Sequence, residues 1–498
     1  MTDLRTVLLL CVSLVLLAAC GSSGGGGVVV VPTVLSHDID GDGNRDLLVG
    51  AYNGGASNQG EVHVFFGPTF AAVADLVITG ETAGDAFGVD LDASGDMNGD
   101  GIADLLVGAN NGPLTGNADA GRAYVIFGRR DRGTFPTLAA NADVLIDGEA
   151  LSENFGIEVL LGDVNGDRLM DLIIGDSWYN ARQGRLYVFH GAAAFPTGSR
   201  TVATADSVIT GSDTITGFIG TSSAGDDQPG DFAVGDLNQD GFNDLVVGST
   251  EFTSEGFLHV FFGSATGVGT RNVSAADASI DGEVGMSLND DFGSGVLVAD
   301  LNNDGILDIG AGDAESKAND GTLRHGSYFI FFGTSPFWTA KTAADADVRI
   351  DHASVAMPTV PNEDVGIEMG AGDVNGDGIV DLIVGDEEGD DPVGDTGMVY
   401  VFFGPITASE TVATADVKIT GTIQHDTVGR SVSVRDYNGD GTDDILIGAE
   451  EDAVPMGTGA AYLFLGRNPW PMSLTIAGAD STLSGPTLNG RFGFSVAE

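Results

Sequence analysis

Short apolar runs that end in glycine recur along the whole chain, separated by polar, turn-forming stretches. Seven of them follow an acidic loop: Asp46-Leu-Leu-Val-Gly50, Asp104-Leu-Leu-Val-Gly108, Asp171-Leu-Ile-Ile-Gly175, Asp244-Leu-Val-Val-Gly248, Asp308-Ile-Gly-Ala-Gly312, Asp381-Leu-Ile-Val-Gly385 and Asp444-Ile-Leu-Ile-Gly448. Runs this short, bounded by turn residues, predict buried β-strands rather than helices. A middle strand follows each, with its own closing glycine, as in Gly60-Glu-Val-His-Val-Phe-Phe-Gly67 and Gly397-Met-Val-Tyr-Val-Phe-Phe-Gly404. Next comes a short outer strand, such as Leu76-Val-Ile-Thr-Gly80 or Val417-Lys-Ile-Thr-Gly421. An opening strand beginning Phe-Gly or Val-Gly (Phe87, Phe155, Phe292, Val365, Val428) then leads into the next loop. Seven four-stranded units without an amphipathic helix predict an all-β fold, a seven-bladed β-propeller with antiparallel blades. Such a ring makes residues 37–498 one domain.

Two places depart from the repeat. In the fourth unit Phe232 stands only four residues before Asp236, and Thr210–Asp231 reads as an insertion, which leaves that blade's strand order open. The first unit has no opening strand with Phe-Gly ahead of it; Val28–Leu35 carries Pro32, which would delete a ladder hydrogen bond. The last residues, Arg491-Phe492-Gly493-Phe494-Ser495-Val496-Ala497-Glu498, form an opening strand with no loop after it. Counted in register, His37 and Asp38 continue directly from Glu498, so the C-terminal strand is expected to close the ring and remove both free sheet edges.

The acidic loops carry the candidate chemistry. Oxygen donors stand at positions 1, 3, 5 and 9: Asp38, Asp40, Asp42 and Asp46; Asp96, Asn98, Asp100 and Asp104; Asp163, Asn165, Asp167 and Asp171; Asp236, Asn238, Asp240 and Asp244; Asp300, Asn302, Asp304 and Asp308; Asp373, Asn375, Asp377 and Asp381; Asp436, Asn438, Asp440 and Asp444. Hard oxygens in this number suit Ca²⁺, with the seventh residue offering a backbone carbonyl, and suit Mg²⁺ less well. Glycine at position 6 permits the left-handed turn that brings both halves of the loop round one ion. An EF-hand is excluded: position 12 is apolar and a strand, not a helix, follows. The alternative is an acidic turn that caps its strands without metal. Loop 1 has a fourth carboxylate where the others have Asn. Loop 3 places Arg168 in the glycine slot and is expected to be the weakest site. Asp443, at position 8 of loop 7, is expected to face solvent.

The repeat resembles the FG-GAP repeat of integrin α-subunit propellers and their bacterial relatives, with "FG" at Phe87-Gly88 and "GA" at Gly50-Ala51, Gly108-Ala109 and Gly448-Ala449. That resemblance implies metal loops on one face of the propeller and partners engaged through the other. The other face would carry Tyr52, Trp178-Tyr179, Phe252 and the stretches Ser212–Asp231 and Met357–Asp364. It supplies no leg domain and no partner subunit, and a shared fold does not transfer a ligand.

Charge narrows the partners. With 20 Lys+Arg against 73 Asp+Glu, the net charge of −53 repels phosphate backbones and anionic headgroups, which excludes direct nucleic-acid binding. A hydrophobic content of 42% excludes a disordered polyanion. Thr6–Ala19, an apolar run behind Arg5, is shorter than the ~20 residues a membrane span needs and matches a signal-peptide core. Leu17-Ala18-Ala19-Cys20 resembles the bacterial lipobox, so residues 1–20 are expected to be a lipoprotein signal with Cys20 lipidated. Residues 21–36 are then a Gly/Ser-rich tether. This places the chain outside the cytoplasm, at the outer membrane or cell surface, touching membrane only through its lipid.

No zinc-binding, phosphate-loop or triad motif is present, and His63, His190 and His259 replace aromatics of the middle strands. The function expected is non-enzymatic: a calcium-stabilised, surface-anchored monomer that binds a protein or glycan. The alternatives are a polysaccharide-degrading or lyase-type propeller with an acidic channel site, and a purely architectural envelope protein.

Overall fold

A computed structural model describes residues 34–111, 120–149, 154–211, 231–250, 256–283, 292–313, 326–351, 365–387, 389, 396–423, 426–450 and 457–497. The signal, Cys20 and nearly all of the tether lie outside these residues, as do Phe252 and almost all of 212–231 and 357–364. Seven sheets are present, each built from one repeat. Blade 3 shows the plan: an opening strand Phe155–Gly162, a loop-following strand Asp171–Asp176, a middle strand Arg185–Phe189 and an outer strand Ser207–Thr210, each antiparallel to the next. Helix is confined, among the described residues, to single 3-10 turns and the four-residue Tyr179–Arg182.

The blades have four or five strands. Blades 2 to 6 gain a fifth, parallel strand lent by the next repeat: Gly198–Thr201, from the middle-to-outer connection of blade 3, pairs with the outer strand Val144–Asp147 of blade 2. The sequence pattern hides this strand because it is polar and exposed, and a period of two has nothing to register against.

Blade 4 keeps the common order, with Phe232–Gly235 opening it. Phe232 faces Val247, the register that Val159 holds opposite Ile174 in blade 3. Phe232 therefore occupies the fifth position of an opening strand, not the Phe-Gly position, which is why it stands only four residues before Asp236.

The ring closes through the C-terminus. Phe492–Val496 pairs with Leu47–Ala51, Val496 opposite Val49, as Val432 stands opposite Ile447 in blade 7. The Asp46 N–H donates to the His37 carbonyl (2.7 Å), so His37 completes this opening strand across the break in the chain. Each of the seven opening strands touches the next, the last touching the first. Side chains reinforce this inner ring: Ser431 Oγ donates to the Gly493 carbonyl (3.2 Å) and Ser495 Oγ to the Gly88 carbonyl (3.0 Å).

The core sits between blades. Each of seven apolar clusters joins two successive blades, including Leu446, Leu463 and Tyr437 of blade 7 with Leu47, Val49 and Phe65 of blade 1. Loop-following strands such as Leu105–Ala109 are buried on both faces, which is why they read as unbroken apolar runs. The glycine that ends each run lets blades approach: a Cβ on Gly108 would stand 2.0 Å from the Gly156 carbonyl oxygen of the next blade. Gly156 itself, the "G" of Phe155-Gly156, has φ +84°, open to glycine at little cost.

Candidate functional site

All seven acidic loops lie where an opening strand turns into the loop-following strand, so they share one face of the propeller. Their geometry repeats. In loop 6 the first carboxylate, Asp373, accepts from the N–H groups of Asp377 (3.0 Å) and Gly378 (2.7 Å), and Asp377 accepts from Ile379 (2.9 Å). The ninth residue, Asp381, is fully buried and accepts from the N–H of Val374 (3.0 Å) within the loop and of Gly404 (2.9 Å), which closes the middle strand. The equivalent bond from the closing glycine runs to Asp46, Asp104, Asp171, Asp244, Asp308 and Asp444. That explains a feature the sequence left unexplained, a glycine after every middle strand: its N–H reaches under the loop where a side chain would collide.

The loops also bond to each other. The position-8 N–H donates to the first carbonyl of the preceding loop at Ala103→Asp38 (3.3 Å), Met170→Asp96 (2.9 Å) and Asp443→Asp373 (3.0 Å). Asp443 is corrected here: it is half-buried, and its Oδ2 accepts from the Asp373 N–H (2.9 Å), so it ties loop 7 to loop 6 instead of facing solvent. Position 8 looked outward only because neighbouring loops cannot be seen in one repeat.

Two positions per loop take left-handed backbone. Position 6 has φ from +74° at Arg168 to +94° at Gly241, so Arg168 adopts the conformation its glycine counterparts adopt. Position 4 was missed; it is left-handed too, with φ +80° at Gly99 and +60° at Gln239 and Asn303. The signal available was the Gly or Asn that recurs there.

The donor set fits a divalent cation. In loop 1 carboxylate oxygens of Asp38, Asp40 and Asp42 lie within 4.8 Å of one another. Burial, together with the neighbouring loop carboxylates, pushes Asp46 and Asp104 up to about 8 and Asp171, Asp381 and Asp444 up to about 7. A carboxylate has about four lone-pair sites, so the ninth Asp keeps capacity beyond its backbone bonds. A bound dication would balance the crowded charge.

The opposite face carries the connections between loop-following and middle strands and between outer and opening strands. Apolar groups are exposed there: Trp178 (38%), Ile423 (58%) and Leu488 (69%). Between blades 6, 7 and 1 a second cluster was not foreseen. Tyr52 packs edge-on against Phe494 at 4.5 Å, Arg430 lies over Phe494 at 4.2 Å, and Arg491 lies over Tyr52 at 5.4 Å. Arg430 pairs with Glu387 (3.3 Å) and Arg491 with Glu450 (3.1 Å). The available signal was Arg430 and Phe494 at an opening-strand position that holds Val89 or Ile157 elsewhere.

A family profile described as FG-GAP repeat matches residues 32–65, 87–126, 155–189, 229–261 and 428–464, windows that run from the loop or its opening strand to the end of the middle strand. The chain carries five FG-GAP repeats within a seven-bladed propeller. Blades 5 and 6 lie outside those windows yet share their strand order, loops and register. Among its relatives, integrin alpha-PS2 of Drosophila melanogaster is 32% identical over 171 residues, 33% of this chain and 12% of that protein. Phosphatidylinositol-glycan-specific phospholipase D of Bos taurus is 31% identical over 160 residues, 30% of this chain and 17% of that protein. Integrin alpha-7 of Rattus norvegicus is 33% identical over 138 residues, 26% of this chain and 10% of that protein. The chain thus matches under a fifth of the length of each. No helix among the described residues is long and apolar enough to cross a membrane.

Proposed function

We propose that this FG-GAP propeller is a non-enzymatic, calcium-stabilised binding module, anchored outside the cell through Cys20, that takes a protein or glycan on the face opposite its acidic loops. The division of labour between the two faces carries the reading. Loop oxygens accept backbone N–H groups and bridge adjacent blades, so they serve the fold and any Ca²⁺ they hold is structural. Trp178, Ile423 and Leu488, by contrast, are exposed on connections of the opposite face, and large apolar groups on loops favour recognition. Four oxygens per loop with a flexible turn suit Ca²⁺, and extracellular sites as weak as ~10⁻⁴ to 10⁻³ M are filled at millimolar Ca²⁺.

An acidic channel enzyme has one observation behind it: Asp90, Glu158 and Asp231 line a small cavity by the inner ring. Two of these acids already serve the ring. Asp90 accepts from the N–H of Leu91 (2.8 Å) and Val159 (2.6 Å), and Asp231 from Phe232 (2.6 Å) and Val296 (2.9 Å). Their carboxylates join one opening strand to the next, which argues for structure over catalysis. Capture of partners from envelope extracts and glycan arrays by the Ca²⁺-loaded chain tests the proposal. Capture that Trp178→Ala and Leu488→Ser abolish supports it; turnover of a polysaccharide, lost on Asp90→Asn, would replace it with the enzymatic reading.

A further inference from the structure

Loop 1 is alone among the seven in having Asp rather than Asn at position 3, and what meets that extra carboxylate is a side chain of the next blade. Arg132 opens a 3-10 turn, Arg132–Thr134, just after the middle strand of blade 2, with Asp131 capping it by accepting from the Gly133 N–H (3.1 Å). Its Nε donates to Asp40 Oδ2, its Nη2 to Asp42 Oδ2 (2.9 Å), and its guanidinium lies 4.2 Å above the Phe66 ring. Arg130 adds a bond from Nη1 to the Gly41 carbonyl. Two oxygens of the loop's donor set are thus paired with a cation the protein supplies itself. Among the described ion pairs no other loop has this arrangement. Its counterpart after the middle strand of blade 7, Arg467, pairs with Asp480 of its own blade, and Arg168 of loop 3 contributes its backbone N–H to Asp163 (2.7 Å).

We infer that Arg132 competes with the divalent ion for loop 1, making it a self-capped site that loads last while the other loops depend on the ion alone. The inference rests on the calcium reading above. The charges fit: Asp40 is buried, its extra charge would be repelled by Asp38 and Asp42, and a guanidinium presents two N–H donors in one plane to two carboxylates. To bind an ion through Asp40 and Asp42, the loop must first release Arg132 to water. Loop 1, not loop 3, is then the site with the lowest affinity, and blade 1, which holds the ring's closure, keeps two of its loop's four carboxylates paired when Ca²⁺ is scarce.

The test is calorimetric Ca²⁺ titration of the full, chelator-stripped chain, with thermal melts in EDTA and in saturating Ca²⁺, for the wild type, Arg132→Gln and Arg132→Lys. The wild type should show one last, weak ion; Arg132→Gln should bind it about five- to tenfold more tightly, and Asp38→Asn in that background should abolish the gain. In EDTA Arg132→Gln should melt below the wild type, with Ca²⁺ closing the gap, and Arg132→Lys should fall between them. An unchanged last-ion affinity, or equal melts in EDTA, overturns the inference while leaving calcium binding intact. A chain that binds no ion in any form overturns the calcium reading, and the competition with it.

Discussion

The two ends of this propeller are built from the same strands but follow different rules. At the loop end every blade repeats one arrangement, and its polar atoms are tied into the backbone: first and ninth carboxylates accept N–H groups, and successive loops bond to each other. At the other end connection lengths vary, and the Arg–acid–aromatic clusters differ from blade to blade: Arg430 lies over Phe494 between blades 6, 7 and 1, Arg122 pairs with Glu81 and Asp147 beside Tyr124, and Arg349 pairs with Glu283 and Asp351 beside Phe329. The first end is constrained by closure of the ring, which every blade must satisfy alike. The second is released from that constraint and can differ from blade to blade. Repetition here marks structure, and irregularity marks the surface on which recognition is proposed.

The closure itself gives the sharpest break. Deleting residues 491–498 removes buried Phe492 and Val496, exposes the edge of Leu47–Ala51 and opens the apolar cluster between blades 7 and 1. The chain should then lose its cooperative melt and aggregate through the free edge. Deleting 21–33 should leave the melting temperature unchanged. Size-exclusion chromatography and thermal melts check this; a damaging N-terminal deletion would show that residues before Val34 belong to the ring.

The next largest effect separates the two jobs of the ninth carboxylate. Asp381→Ala strands the Gly404 N–H, at about 1–3 kcal/mol even without metal, and leaves the Val374 N–H only its bond to the Gly372 carbonyl (3.1 Å). Asp171→Ala strands Gly191 and leaves Val164 its bond to the Gly162 carbonyl in the same way, so in EDTA the two variants should be equally destabilised. In Ca²⁺ a filled site adds ~2.7 kcal/mol at one hundred times its Kd, and any difference between loops 6 and 3 should appear only there. Wild-type melts identical in EDTA, Mg²⁺ and Ca²⁺ would rule out the metal.

At the opposite end the pattern should invert. Leu488→Ser should shift stability by no more than ~0.5 kcal/mol, as exposed positions do, and Trp178→Ala, at a residue only 38% exposed, by somewhat more. If either anchors a partner, its loss should weaken binding by ~2 kcal/mol or more, about thirtyfold. A partner insensitive to both, and released by changes at Asp42 or Asp440, would place recognition on the loop end instead.

How much of this was legible in the sequence follows the same division. Blade count, the place of the acidic loops and even the register of Val496 could be read, because seven copies align and each error in one is exposed by the others. What escaped depends on a neighbouring blade. The parallel fifth strands are lent across a boundary, Asp443 bonds to the previous loop, and Arg132 reaches loop 1 from a residue far along the chain. The strand order of blade 4 stayed open because Phe232 stands four residues before its loop, and only the register that Val247 supplies places it. A one-dimensional repeat states what each unit does to itself and is silent on what it does to the next.

The smallest expected effect tests whether loop 3 is weak at all. Arg168 holds φ +74°, where a side chain costs roughly 1–2 kcal/mol, and Arg168→Gly would relieve that. The gain is offset by the greater freedom of glycine in the unfolded chain, about 0.5–1 kcal/mol, so the net stabilisation in EDTA should be between zero and ~1 kcal/mol. The Arg168 N–H already reaches Asp163 as its glycine counterparts reach theirs, so the substitution leaves the donor geometry in place. Ca²⁺ affinity at loop 3 should therefore rise only slightly, through loss of one exposed positive charge. The reverse change, Gly441→Arg in loop 7, should cost between zero and ~1 kcal/mol by the same backbone argument. If Arg168→Gly instead tightened Ca²⁺ as much as Arg132→Gln, the guanidinium of Arg168 would also be competing for its loop, and a basic side chain would be a recurring way of capping these sites rather than a property of loop 1.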